Sequence, residues 1–323
     1  MNALRLGTRR SQLAVAQSRG VADRLTRLTG QPVELVEITT YGDVSRESLV
    51  SIGGTGVFVS ALRDALLDGE IDFAVHSLKD LPTAQPAELT LAAVPQRADP
   101  RDALIARDGL DFERLAMAGG SEGPARIGTG SPRRMAQLNA WARALGRDIE
   151  TVPIRGNVDT RIGYVHSGEL DAVVLAAAGL SRLGRSAEIT EFLAPDTVLP
   201  APGQGALAVE CAASRVELAA QLAGLDDPHT RIAVAAERTL LADLEAGCSA
   251  PVGAFADLLA DGQAVTELRL RGVVGTTDGS QLVQLSTTGP LPASVAEAVA
   301  VGRQLADEML AKGAAGLMGE RAS

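Results

Sequence analysis

Strand-like and helix-like hydrophobic patterns alternate along most of this chain, and that alternation restricts the fold more than any other feature. The first stretch reads as a strand near Leu4–Gly7, a helix from about Arg10 to Leu28 and a strand around Val33–Thr39, then a helix near Val57–Asp68 and a strand at Ile71–His76. Asp99-Pro100-Arg101-Asp102 reads as a crossing point, after which the pattern repeats. The second run is strand Arg126–Thr129, helix Pro132–Leu145, strand Glu150–Ile154, helix Val158–Ser167 and strand Leu170–Ala176. A parallel strand pair needs a long crossover that a helix supplies, so alternation implies an α/β fold with a largely parallel sheet. The Pro-rich piece Leu199-Pro200-Ala201-Pro202-Gly203 carries the chain back toward the first stretch. We therefore expect a discontinuous first α/β lobe (1–98 and 199–218) and a second α/β lobe (99–198).

From about Leu222 the texture changes. Asp227 and Pro228 read as N-cap and first helical residue and Gly247 as the stop, giving a helix near Pro228–Ala246. Alternating Leu268–Val274 and Leu282–Leu285, joined through Thr277-Asp278-Gly279, read as a hairpin, and a last helix covers roughly Ser294–Lys312. Residues 219–323 thus form a small α+β C-terminal domain. A length of 323 residues accommodates these three cores.

Charge excludes some functions and suggests another. The net charge of -10 and an aromatic content of 2% oppose a nucleic-acid binder. No run of about 18 apolar residues occurs, so no membrane partner is expected. Met1 to Ser11 shows no apolar signal stretch, and Cys211 and Cys248 make no disulfide framework, which suits a reducing compartment. We expect a cytoplasmic monomer.

Positive charge is nonetheless local. From Arg126 to Arg161 seven Arg face only Asp148, Glu150 and Asp159. Codon bias can explain the number of Arg, so their placement carries the argument. Leu6-Gly7-Thr8-Arg9-Arg10-Ser11 and Ile127-Gly128-Thr129-Gly130-Ser131-Pro132-Arg133-Arg134 both run from a strand through Gly-Thr into a helix opening rich in Ser and Arg. A helix N-terminus is partially positive, so Arg there has the wrong sign unless an anion is present or the side chains extend into water. Arg155 and Arg161 bracket a third opening at Gly156-Asn157. Two lobes with such openings suggest a cleft that takes several carboxylates or phosphates, which Arg binds in bidentate fashion.

Some matches fail in context. Gly203-Gln204-Gly205-Ala206-Leu207-Ala208 fits a dinucleotide fingerprint, but a Pro-rich loop precedes it and a strand pattern follows. His76, His166 and His229 lack zinc spacing, and His76 reads as a core or hinge residue. His76-Ser77-Leu78-Lys79-Asp80-Leu81-Pro82 sits where a strand ends, the position at which α/β proteins place ligands. Lys79 is one of only two lysines. Cys248, in Gly247-Cys248-Ser249-Ala250-Pro251, follows a helix end that disfavours a thiolate, yet it can hold a permanent covalent group.

Taken together, LGTRRSQLA, HSLKDLP, DPRDAL, GTGSPRR, RGNVDTR, AAGLSRLG, LPAPGQGALAVE and EAGCSAPVG, from Leu6 to about Gly253, resemble the porphobilinogen deaminase family in order and spacing. The resemblance implies two periplasmic-binding-protein-like lobes with a cleft between them plus the third domain. It also implies stepwise head-to-tail condensation of four porphobilinogen molecules with release of ammonia, on a dipyrromethane cofactor attached covalently through Cys248. Asp80 is similar to the family's catalytic aspartate. By the same resemblance Ser77, Lys79, Thr129, Ser131, Arg133, Arg134, Arg161 and Gln204 hold the cofactor, while Arg9, Ser11, Arg155 and Arg182 meet incoming carboxylates. The chain departs from the family in carrying Thr55, Ser60 and Ser181 where Lys is usual, and Arg63 is the nearby cation that would substitute. The rival reading is a non-catalytic two-lobe anion binder, which leaves Cys248, the third domain and Lys79-Asp80 unexplained.

Overall fold

The Gly-Thr repeated in the two lobes ends a buried strand in each. A Cβ on Gly7 would lie 2.2 Å from the Ile71 side chain, and one on Gly128 would lie 2.6 Å from Leu170. In both strands a side chain from a neighbour closes over the glycine, so a larger residue there would have to displace a buried side chain. A computed structural model of the protein describes residues 2–38, 56–120, 123–244, 250–262 and 264–318. The chain splits into two units, Met1–Ala98 with Gly205–Arg231, and Asp99–Gln204 with Ile232–Ser323.

The first unit comprises β1 (Leu4–Thr8), α1 (Gln12–Thr29), β2 (Val33–Glu37), α2 (Gly56–Leu67), β3 (Phe73–Ser77) and a 3-10 turn at Leu78–Asp80. These are followed by β4 (Leu89–Ala93) and, after the return, β10 (Leu207–Ala212) and α7 (Val216–Leu222). Its sheet runs β2-β1-β3-β10-β4. Strand β1 is parallel to β2 and β3, while β10 is antiparallel to both β3 and β4. Four strands thus point one way, as the alternation predicts, with β10 reversed among them.

Helix α1 forms because Gln17, Val21 and Leu25 recur at fourfold spacing and are buried on one side. Ser11 Oγ caps it by accepting from Ala14 N at 3.2 Å, and Gly30 ends it with φ of 72°. Its apolar side joins Leu6, Phe73, Val75 and Val209 in one core. The other side of the sheet packs Leu62, Leu66, Ile71 and Ala74. Each fully buried large apolar side chain contributes about 1.5–3 kcal/mol.

In the second unit β5 (Asp102–Ala106), α3 (Phe112–Ala118), β6 (Ala125–Gly128), α4 (Pro132–Ala144) and β7 (Ile149–Val152) precede α5 (Val158–His166), β8 (Ala172–Ala176), α6 (Ala177–Arg182) and β9 (Glu191–Leu193). The sheet order is β7-β6-β8-β5-β9. Strand β6 is parallel to β7 and β8, and β5 is antiparallel to β8 and β9. The two sheets therefore have the same pattern, with β5 standing where β10 stands in the first.

Helix α8 (Pro228–Asp243) leads into β11 (Val252–Asp261), β12 (Ala264–Gly275), β13 (Leu282–Pro290) and α9 (Val295–Ala311). The expected β12–β13 hairpin is present, but the sheet has a third strand, β11, paired along β12. Its small residues hid it from the sequence pattern, since Gly and Ala have weak strand preference. Gly253 is small for a reason: a Cβ there would meet Val273 at 2.9 Å and Leu199 O at 3.0 Å. Gly247, the expected stop of α8, lies outside the described residues.

Candidate active site

In the first unit the sequence-predicted residues lie at the ends of β1 and β3. Arg9 is half-buried just after β1, and Ser11 is the α1 N-cap. Arg10 makes a solvent-exposed ion pair with Glu37 at 3.4 Å. The charge conflict foreseen at this helix opening is therefore met partly by a neighbouring strand. At the end of β3, Ser77 Oγ accepts from Gln17 Nε2 at 2.9 Å. Lys79 and Asp80 follow in the 3-10 turn, both half-buried. The turn is closed by Leu81 N donating to Leu78 O at 3.1 Å and is tied sideways by Leu78 N donating to Ala206 O at 3.0 Å.

Beneath that turn lies a charge cluster absent from the sequence reading. Glu210, in the middle of β10 and fully buried, accepts from Arg63 Nε at 3.1 Å and Nη2 at 2.8 Å. His76 Nε2 lies 3.2 Å from Glu210 Oε2, an ion-pair contact without hydrogen-bond geometry. Burial would raise the Glu210 carboxyl, but the His76 and Arg63 contacts bring it down to about 2. Arg63 is thus engaged internally and does not stand in for the lysines replaced by Thr55 and Ser60. Thr55 lies outside the described residues, and Ser60 is exposed.

In the second unit one residue organises several predicted ones. Asp102, fully buried at the start of β5, accepts from Arg133 Nη1 at 2.7 Å and Arg134 Nη2 at 2.8 Å, and from Gln204 Nε2 at 2.8 Å. Arg133 also donates to Leu199 O at 2.5 Å and Arg134 to Val174 O at 2.9 Å. Burial alone would raise the Asp102 carboxyl; the two guanidiniums outweigh it and hold it well below the usual range. Burial pushes Arg133 down from its ordinary value. The anion at this helix opening is thus first a protein carboxylate. Two cations share that single acid, and among the described residues Arg133 Nε and Arg134 Nε are buried with no hydrogen-bond partner.

The remaining residues occupy the surrounding elements. Thr129 is fully buried, and its Oγ1 accepts from Ser131 N at 3.2 Å. Ser131 is the α4 N-cap but makes no side-chain cap bond. Gln137 secures the returning chain, accepting from Leu199 N at 2.7 Å and donating to Leu199 O at 3.0 Å. Buried Glu237 accepts from Gly203 N at 2.7 Å and Ala256 N at 2.9 Å, joining the Pro-rich piece to β11. Arg155 is exposed after β7, and Arg161 is half-buried on α5. Arg182 closes α6, is half-buried and is lowered from its ordinary value by burial. Cys248 lies outside the described residues. Asp102 and Glu210 went unnoticed, although a lone acid in an apolar strand, as in DALIA or LAVECA, signals a buried cation partner.

Comparison with known proteins agrees with the motifs. The family model described as "Porphobilinogen deaminase, dipyromethane cofactor binding domain" matches residues 4–220, and that of the family's C-terminal domain matches residues 231–311. "Porphobilinogen deaminase 1" of Streptomyces avermitilis is 76% identical, covering 99% of this chain and 98% of the relative. The protein of the same name from Streptomyces coelicolor is 72% identical, with 99% and 98% covered. The porphobilinogen deaminase of Thermobifida fusca is 56% identical, with 99% and 97% covered. Among solved structures, an ABC transporter from Parabacteroides distasonis is 13% identical over 100% of both chains with a TM-score of 0.42. With both family models matched and such identity along its whole length, the chain belongs to the porphobilinogen deaminase family.

Proposed function

We infer that this chain condenses four porphobilinogen molecules head to tail into hydroxymethylbilane, releasing one ammonia per unit, within tetrapyrrole biosynthesis. The observation that supports it best is the excess of buried positive charge at the α4 opening. Among the described residues Arg133 and Arg134 share one carboxylate and keep two unpartnered buried donors. Leaving such donors unpaired is costly, so the site favours a further anion. A dipyrromethane fits this demand, since its rings carry acetate and propionate groups. When bound through Cys248 it supplies the free pyrrole position at which the product chain grows.

The residues of the chain then have distinct tasks. Arg133, Arg134, Arg161, Lys79 and Gln204 hold the cofactor, with Ser77 and Ser131 donating hydroxyls. Thr129 acts through Ser131, whose amide it fixes. Arg9, Ser11, Arg155 and Arg182 receive the carboxylates of incoming substrate. Asp80 gives a proton to the departing amine, faces the positive charge that then develops on the pyrrole, and helps remove the ring proton. Two cysteines without a disulfide framework support a cytoplasmic setting. Among the described residues no helix is long and apolar enough to cross a membrane.

Intact mass and single-turnover ammonia release test this reading together. Native protein should exceed its sequence mass by a two-ring pyrrole adduct that Cys248→Ala lacks. Asp80→Asn, supplied with preassembled tetrapyrrole, should carry the adduct yet release ammonia at least roughly 10²-fold more slowly. Unmodified protein that turns over substrate, or an Asp80→Asn variant within a few-fold of wild type, would overturn it.

A further inference from the structure

We propose that the Arg63–Glu210–His76 cluster is a positioning device for the Lys79–Asp80 turn, with His76 as the link between the buried carboxylate and the turn. This rests on the reading of Asp80 as the proton-transferring group. In the register of β3 and β10, Glu210 stands opposite Ala74, and His76 opposite Ala208. Glu210 and His76 are therefore diagonal neighbours on one face of the sheet, close enough for the imidazole to reach the carboxylate. The pairing of β10 with β4 shifts register between Val209 and Glu210. The extra residue at that shift is Ala92 of β4, so β10 itself runs straight through Glu210.

The end of β3 is consequently held from both faces. On one, His76 meets Glu210, which Arg63 of α2 clamps with two hydrogen bonds. On the other, Ser77 is bonded to buried Gln17 of α1. The 3-10 turn begins at the next residue, and Leu78 and Leu81 are both buried. Little slack remains between the tethered strand and Asp80. A buried ion pair adds little stability compared with an apolar pair of similar size. Its return here is a defined backbone path, and misplacing a reacting group by about 1 Å can cost 10²-fold in rate.

His76→Leu removes the link while leaving the Arg63–Glu210 pair intact, and His76→Gln restores a polar group that can reach the carboxylate. The measurements are hydrogen exchange at the Leu78 and Leu81 amides, the separation of kcat from KM, and thermal melting, on cofactor-loaded full-length enzyme. For His76→Leu we expect exchange at those two amides to rise at least roughly tenfold, as befits a lost buried contact with a charged group. The kcat should fall at least roughly tenfold with KM within about twofold, and His76→Gln should recover most of both. Should His76→Leu not fold, Arg63→Met with Glu210→Met removes the carboxylate without stranding a charge and should show the same pattern. Wild-type exchange at the turn in a folded variant, or equal changes at amides throughout the unit, would overturn the proposal. An active Asp80→Asn would instead sink the catalytic reading, and the exchange result would still stand as the test of the tether.

Discussion

The two five-stranded sheets share one strand order, β2-β1-β3-β10-β4 and β7-β6-β8-β5-β9, and each carries one buried carboxylate on its reversed strand. Their surroundings differ. Glu210 meets one guanidinium and one imidazole. Asp102 meets two guanidiniums and an amide, so its cluster keeps an unmatched positive charge. The same structural slot therefore serves two purposes. In the first sheet the acid fixes a backbone turn, and in the second it arranges two arginines without exhausting them.

The largest effect that can break this comparison comes from removing each acid. Asp102→Ala strands two buried cations and should cost about 3–5 kcal/mol. Trp141, the only Trp, stacks on Phe112 at 4.0 Å in the second unit and so reports on that unit. Urea unfolding followed by Trp fluorescence should show a lowered midpoint for Asp102→Ala. Glu210→Ala should leave the Trp-detected transition close to wild type, because Trp141 reports on the unit that does not contain Glu210. Equal shifts would mean that the two clusters are not energetically separate.

A somewhat smaller effect lies in acid. Glu210 falls from an ordinary 4.5 to about 2 on folding, because His76 and Arg63 outweigh burial. Its folded value is below its unfolded one, so its stabilisation is complete above 4.5 and is lost as pH falls through about 2. The amount is about 3 kcal/mol at neutral pH. Glu210→Gln should flatten the pH dependence of stability in that window, as measured by urea midpoints at stepped pH. An unchanged slope would show that the acid sensitivity lies in other lowered carboxyls, among them Asp102, Asp72 and Asp278.

The smallest effect separates the two helix openings. Ser11 caps α1, whereas Ser131 makes no cap bond at α4. Ser11→Ala should therefore lose about 1 kcal/mol, read as a lowered melting temperature. Ser131→Ala should stay within about 0.5 kcal/mol. If the order were reversed, the Ser-Arg echo would describe structure at α4 and not at α1.

Much of this was readable from residues alone, because periodicity and capping are local. The β-α alternation determined a layered α/β architecture with a largely parallel sheet. The Gly-Thr echo marked two equivalent strand ends, and the order of the motifs pointed to the family. The partners of the charged residues were not readable. Arg63 lies 147 positions from Glu210, Arg133 lies 31 from Asp102, and Gln204 lies 102 from it. Those pairings depend on β10 and β5 entering their sheets reversed between strands distant in sequence, and hydrophobic period gives no sign of that. The sequence determined that arginines gather at helix openings. Only tertiary structure decided that a buried carboxylate meets them first, since the cost of an unpaired charge is set by what burial brings beside it.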